Sequence, residues 1–185
     1  MARNRVATEP AELAIARDVS RDVSPFLKAM PKCELHLHIE GTLLPALRWK
    51  LAQRNGITLS HKGIVYNTLA ELEASYNVVY NHRVKTRGDD GVGRPTFFEM
   101  YYGGMEVLRT EDDFYELAME YFEKVKGMGV VYVEPFFDVQ AHTRRGIEVG
   151  TVMRGFGRAK KDAKEKLGVS VLRICFFCML ADNVG

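Results

Sequence analysis

Between Thr110 and Cys178 the chain alternates two periodicities, and that alternation restricts the fold more than any other feature. Thr110 opens a helix: with Asp113 three residues on, it forms a variant of the capping box, Asp standing where Glu or Gln is usual. Phe114, Leu117, Ala118, Tyr121, Phe122 and Val125 then recur at i, i+3, i+4 and i+7, the stripe of a helix packed on one side. An aromatic ligand box is the rival reading of this stripe, and core packing is the stronger one. Gly127 and Gly129 end the helix. Residues 130–137 are β-branched and aromatic and predict a strand. Pro135 lacks the N–H that a central strand needs, so it belongs at the strand's end or at a bulge. Residues 148–167 predict the next helix, and 169–178 the next strand. Strand and helix in alternation imply an α/β fold with a parallel sheet.

A shorter strand precedes this unit. Glu34-Leu35-His36-Leu37-His38-Ile39-Glu40-Gly41-Thr42 is an apolar run with polar residues at every second position. Side chains at i and i+2 of a strand share a face. The spacing therefore places Glu34, His36 and His38 on one face and Cys33, Leu35 and Leu37 on the other. The two imidazoles start from Cα atoms roughly 7 Å apart. Side chains of that length can converge on one metal ion, and neutral imidazole suits zinc. A single histidine on an apolar strand is more often a satisfied core residue. Two at this spacing, with acids before and after and a glycine beyond, favour a metal. Pro45 then starts a helix that runs to about Arg54, where Asn55-Gly56 is a stop signal. Residues 68–80 are a further helical candidate.

Pro31-Lys32-Cys33-Glu34-Leu35-His36-Leu37-His38-Ile39-Glu40-Gly41-Thr42-Leu43 resembles the first-strand signature of the adenosine/adenine deaminase family of metal-dependent amidohydrolases. Residues 105–115, starting Met-Glu-Val-Leu-Arg, and 136–146, starting Phe-Phe-Asp-Val-Gln-Ala-His-Thr, resemble its adenine-deaminating branch in fungi and bacteria. Several separated motifs thus occur in the family's order, over most of residues 30–175. The resemblance implies a (β/α)8 TIM barrel with its site at the C-terminal ends of the strands. Here it covers roughly the first three strands, with an extra helical excursion between strands one and two. It further implies that His36 and His38 are zinc ligands, that Glu40 faces the substrate, and that the reaction is adenine plus water to hypoxanthine plus ammonia in purine salvage. The adenosine-specific branch usually carries Asp where Glu40 stands, against the ribose; the longer side chain would occupy that space. Adenosine remains the competing substrate. His142 lies in the family's Gln-Ala-His-Thr segment and is not expected to replace a missing ligand.

A complete barrel of this kind takes about 250 residues, and this chain has 185. The family's third zinc-binding His, its general-acid Glu, its second catalytic His and its late-strand Asp pair have no counterpart here. No catalytic residue is therefore expected within the chain, which reads as the amino-terminal part of a deaminase, inactive alone. A non-catalytic product that pairs with a partner chain is the reading from another class.

The net charge of +2 is too small to argue for nucleic acid or an anionic membrane. No run approaches the ~20 apolar residues of a membrane span, and residues 1–24 read as a charged tail without the apolar region of a secretory signal. The expected partner is a small purine substrate and the expected location cytoplasmic, with the nucleus as a second compartment. Three cysteines suggest no disulfide framework. Cys175-Phe176-Phe177-Cys178 lies in an apolar run, where positions three apart face opposite sides of a strand, so inert thiols are expected. Residues 81–95 are polar and Gly-rich, with no Lys-Ser/Thr after the glycines to make a phosphate cradle, and read as a solvated loop. That stretch, and the sequence after Cys175, depart from the family pattern. An imperfect gene model would produce both departures.

Overall fold

The computed structural model describes residues 24–76, 97–172 and 174–176. The expected tail, the 81–95 loop, the end of the 68–80 helix and Cys178 lie outside the described residues.

A short helix, α1 (Pro25–Ala29), leads into β1 (Lys32–His38) and a 3-10 turn (Ile39–Thr42). Helix α2 (Pro45–Arg54) starts on its proline, whose missing N–H costs nothing in a first turn. It stops at Asn55, with Gly56 at φ +62°. A small antiparallel hairpin follows, β2 (Ser60–His61) and β3 (Ile64–Val65). Next comes α3 (Leu69–Ser75), capped by the Thr68 hydroxyl, which accepts from the Glu71 amide. Helix α4 (Phe97–Met105) completes the excursion. Helix α5 (Glu111–Gly127) carries both halves of the Thr110/Asp113 capping box, and every residue of its apolar stripe is buried. It feeds β4 (Val130–Phe137). After α6 (Val139–Thr143), α7 (Val149–Asp162) runs into a wider π-helical turn (Ala163–Leu167). The predicted third strand is two short pieces, β5 (Ser170–Val171) and β6 (Cys175–Phe176).

The sheet is parallel, with β4 between β1 and β5, and β6 also on β4. Helices cover one face. Phe137 of β4 meets Phe156 of α7 at 5.3 Å between ring centres, and Phe156 meets Phe114 of α5 at 5.5 Å, both edge to face. Such pairs add about 0.5–1.5 kcal/mol to simple burial. Polar contacts tie α2 to α5: Arg54 pairs with Asp113 and Glu116, and Lys50 with Glu116. Among the described residues no helix is long and apolar enough to cross a membrane.

The β1–β4 register corrects one expectation. Cys33 lies opposite Tyr132, Glu34 opposite Val133 and Leu35 opposite Glu134; the register then skips to Leu37 opposite Pro135 and His38 opposite Phe136. His36 is the inserted residue of a bulge, in the left-handed region at φ +61°. Because the side-chain period of a strand is two, one extra residue turns everything before it to the other face. Glu34 therefore does not share a face with His38. It points to the helices, where its Oε2 accepts from the Tyr121 hydroxyl at 2.8 Å. Leu35, expected to pack beside Leu37, is 59% exposed, whereas Leu37 lies against the core. Pro135 sits in mid-strand, opposite the bulge, where the ladder is already interrupted.

Candidate functional site

His36 and His38 stand at the C-terminal end of β1, and the bulge sets their relation. A non-glycine residue in the left-handed region costs about 1–2 kcal/mol, so the rest of the strand pairing must hold His36 there. The outcome is two rings side by side. Their centres are 5.9 Å apart with planes inclined at 60°, and both lie against Phe136, at 4.9 Å from His36 and 6.0 Å from His38. Tyr101 of α4 meets His38 edge-on at 6.3 Å. Two imidazoles on one tetrahedral zinc, at Zn–N of about 2.0–2.1 Å, put their ring centres roughly 5–6 Å apart. The pair fits as two members of a zinc donor set. Among the described residues no group of three or more His, Cys, Asp or Glu is gathered around one point to complete it.

Glu40 lies one turn beyond, in the 3-10 turn, and is turned inward. It is 3% exposed. Its Oε1 accepts the Asp138 backbone N–H at 2.8 Å and lies 2.9 Å from His142 Nε2; its Oε2 lies 3.4 Å from the Tyr101 hydroxyl. The other ring nitrogen of His142, Nδ1, is 2.8 Å from Nη2 of Arg145. A guanidinium can only donate, so Nδ1 accepts and the proton of a neutral His142 sits on Nε2, aimed at Glu40. Arg145 also donates to the carbonyls of Ala141 and Leu108. Burial, and then the nearby Arg109 charge, lower its guanidinium to about 10, which leaves it cationic at neutral pH. Phe114 closes over His142 edge to face at 4.9 Å.

Asp138 caps α6 through Oδ1, which accepts from the Ala141 amide, while Oδ2 has no hydrogen-bond partner among the described residues. Burial, with the Glu40 carboxylate adding to it, pushes the Asp138 carboxyl up. Burial and the same two carboxylates push the Tyr101 phenol up as well. A cleft of about 290 Å³ opens nearby between α4 and α6, lined by Tyr102, Glu106 and Arg144, but it includes neither imidazole of β1.

The structure thus brings His36 and His38 together on the face of the sheet away from α5 and α7 and places Glu40 in a buried cluster beside them. Sequence reasoning missed Tyr101, Asp138 and Arg145, and set His142 aside. Asp138 did carry a local signal, an N-cap residue followed by a helical turn. The Glu40–His142 contact, between residues 102 apart, carried none.

Residues 31–183 match the adenosine deaminase family. The chain belongs to that family. The adenine deaminase of Vibrio parahaemolyticus is 43% identical over 162 residues, covering 87% of this chain and 43% of the relative. The crystal structure of an Arthrobacter aurescens adenine deaminase superposes with a TM-score of 0.64 at 38% identity, covering 79% of this chain and 39% of that one. An amidohydrolase from Burkholderia ambifaria, with bound Zn, shares the fold at a TM-score of 0.61 and 21% identity, over 85% of this chain and 38% of that one. The chain spans about two-fifths of the length of the curated relatives it matches. The parallel sheet with helices on one face is accordingly part of a deaminase (β/α)8 barrel.

Proposed function

We propose that this chain carries the first-strand part of a zinc-dependent purine aminohydrolase site, for conversion of adenine and water to hypoxanthine and ammonia in purine salvage. The observation that carries the proposal is the pair of imidazoles at the end of β1, 5.9 Å apart and on one face. The bound zinc of the Burkholderia neighbour and the adenine deaminase relatives support the metal and the substrate.

His36 and His38 would hold the zinc, with at least one further protein ligand, since catalytic zinc normally takes three. Zinc in such a site supplies an activated water at neutral pH. The chain's own residues shape what surrounds it. Phe136 packs against both imidazoles, and Tyr101 against that of His38. Glu40, with a side chain longer than the Asp of the adenosine-specific branch, would occupy space that a ribose needs, which favours the free base.

A chimera tests this. Residues 31–176 replace the matching stretch of the Vibrio parahaemolyticus adenine deaminase, and the protein is assayed for zinc content and for both substrates. Hypoxanthine from adenine, with little inosine from adenosine, is expected. A zinc-loaded chimera that deaminates adenosine alone, or neither, would overturn the proposal.

A further inference from the structure

Glu40 holds three contacts inside the protein and leaves neither oxygen facing solvent. Its carboxylate ties the turn directly after the zinc-ligand pair to the β4–α6 junction, through the Asp138 amide, and to α6, through His142. His142 is itself fixed. Arg145 donates to Nδ1, Phe114 stands against the ring, and the residue is 0% exposed. Arg145 offers only donors to one side of the His142 ring and Glu40 offers an acceptor to the other, so a single imidazole tautomer satisfies both ends. A buried carboxylate without such donors would be strongly disfavoured.

We propose that His142, held by Arg145, is a positioning residue for the zinc pair: it anchors Glu40 and thereby fixes the turn on which His38 ends. This rests on the reading of His36 and His38 as zinc ligands. It gives Glu40 a second task besides bordering the substrate. Groups behind metal ligands commonly change metal affinity by 10–100-fold when removed, and the bulge makes β1 sensitive to a shift of its downstream end. His36 already occupies an unfavourable backbone region, so slack after His38 lets the two rings part.

The test uses the full 185-residue chain. Zinc affinity is measured by competition with a chromogenic chelator, and the His142 tautomer by long-range 1H–15N correlation in the metal-free protein. His142→Leu and Glu40→Ala should each weaken zinc binding about tenfold. His142→Gln, which can donate to Glu40 and accept from Arg145, should restore it. Glu40→Gln, which can still accept from His142, should stay close to wild type. The wild-type spectrum should show the proton of His142 on Nε2. Unchanged zinc affinity in His142→Leu would overturn the inference, as would failure of His142→Gln to restore it, or a proton on Nδ1. A wild-type chain whose zinc uptake is unaffected by His36→Ala would overturn the proposed function along with it. An inactive chimera combined with the expected zinc series would overturn the proposed function alone.

Discussion

Gly155 sits where α7 crosses α5, and its lack of a side chain sets how close the two helices come. A Cβ built there would lie 2.5 Å from the Glu111 carbonyl oxygen, 2.7 Å from Phe114 Cβ and 3.2 Å from the Tyr115 amide nitrogen. Two of these three atoms are backbone, so no flexible side chain can swing away. The helices must separate, or Phe114 must leave its contact with Phe156. Overpacking of this kind costs about 1–3 kcal/mol, and backbone contacts this short place it at the upper end. Replacing glycine by alanine in a helix returns about 1 kcal/mol. Gly155→Ala should thus lose roughly 2 kcal/mol net. Gly157, two residues along the same helix and exposed, has none of the described residues within 4 Å of its Cβ position beyond its own helix backbone and chain neighbours. Gly157→Ala should gain up to about 1 kcal/mol. The pair should differ by about 3 kcal/mol, or roughly 6–12 °C in melting midpoint for a chain of this size. Urea melts read the difference as a shift in midpoint at constant slope. Equal stability of the two variants would refute the argument, because helix propensity alone predicts a gain at both positions.

Asp113 supplies a pH dependence. Burial, the largest single effect, raises its carboxyl, but the Thr110 and Arg109 amides together with Arg54 and Asn55 outweigh it and hold it below the usual range. The folded value is depressed, so the stabilisation is present above the unfolded value of about 3.9 and is lost as pH falls through the folded one. Urea midpoints should drop as pH falls below about 4, and Asp113→Asn should be less stable at pH 7 with a shallower acid slope; an unchanged slope would count against the capping account. The protein of residues 1–185 by itself is expected to release no hypoxanthine from adenine, because its described residues offer two imidazoles where three ligands are required. Steady formation of hypoxanthine by the zinc-loaded chain, abolished in His36→Ala, would disprove that.

What the sequence disclosed was largely local. The α5 cap and stripe, the proline start of α2 and the extent of β4 depend on residues within a turn or two, and all three stand where the spacing put them. The hairpin of β2 and β3 escaped because strands of two residues are too short to show alternation. Its signal was the Lys62-Gly63 turn, both residues at positive φ, which matches the two-residue hairpin type. The third strand was read as continuous and is divided. The spacing did put His36 and His38 side by side, but it misplaced the face of Glu34, because a period of two assumes an unbroken ladder. Pro135 hinted at the break: the sequence asked for a bulge near it, and the bulge lies across from it on β1. The buried cluster of Glu40, His142 and Arg145 assembles from distant segments, and no spacing rule reaches that far.

The kink at position 36 has one more consequence. It acts as a clutch between two halves of a single strand. Upstream, the Glu34–Tyr121 contact locks β1 to the helical wall; downstream, Leu37 and His38 follow the opposite phase. Loss of codon 36 would restore a regular ladder with both halves on their present faces but remove one histidine of the pair, whereas loss or gain of a codon elsewhere in the strand would swing one half onto the wrong side. Substitutions along this strand can therefore drift one at a time, but its length cannot change without dismantling either the wall or the histidine pair.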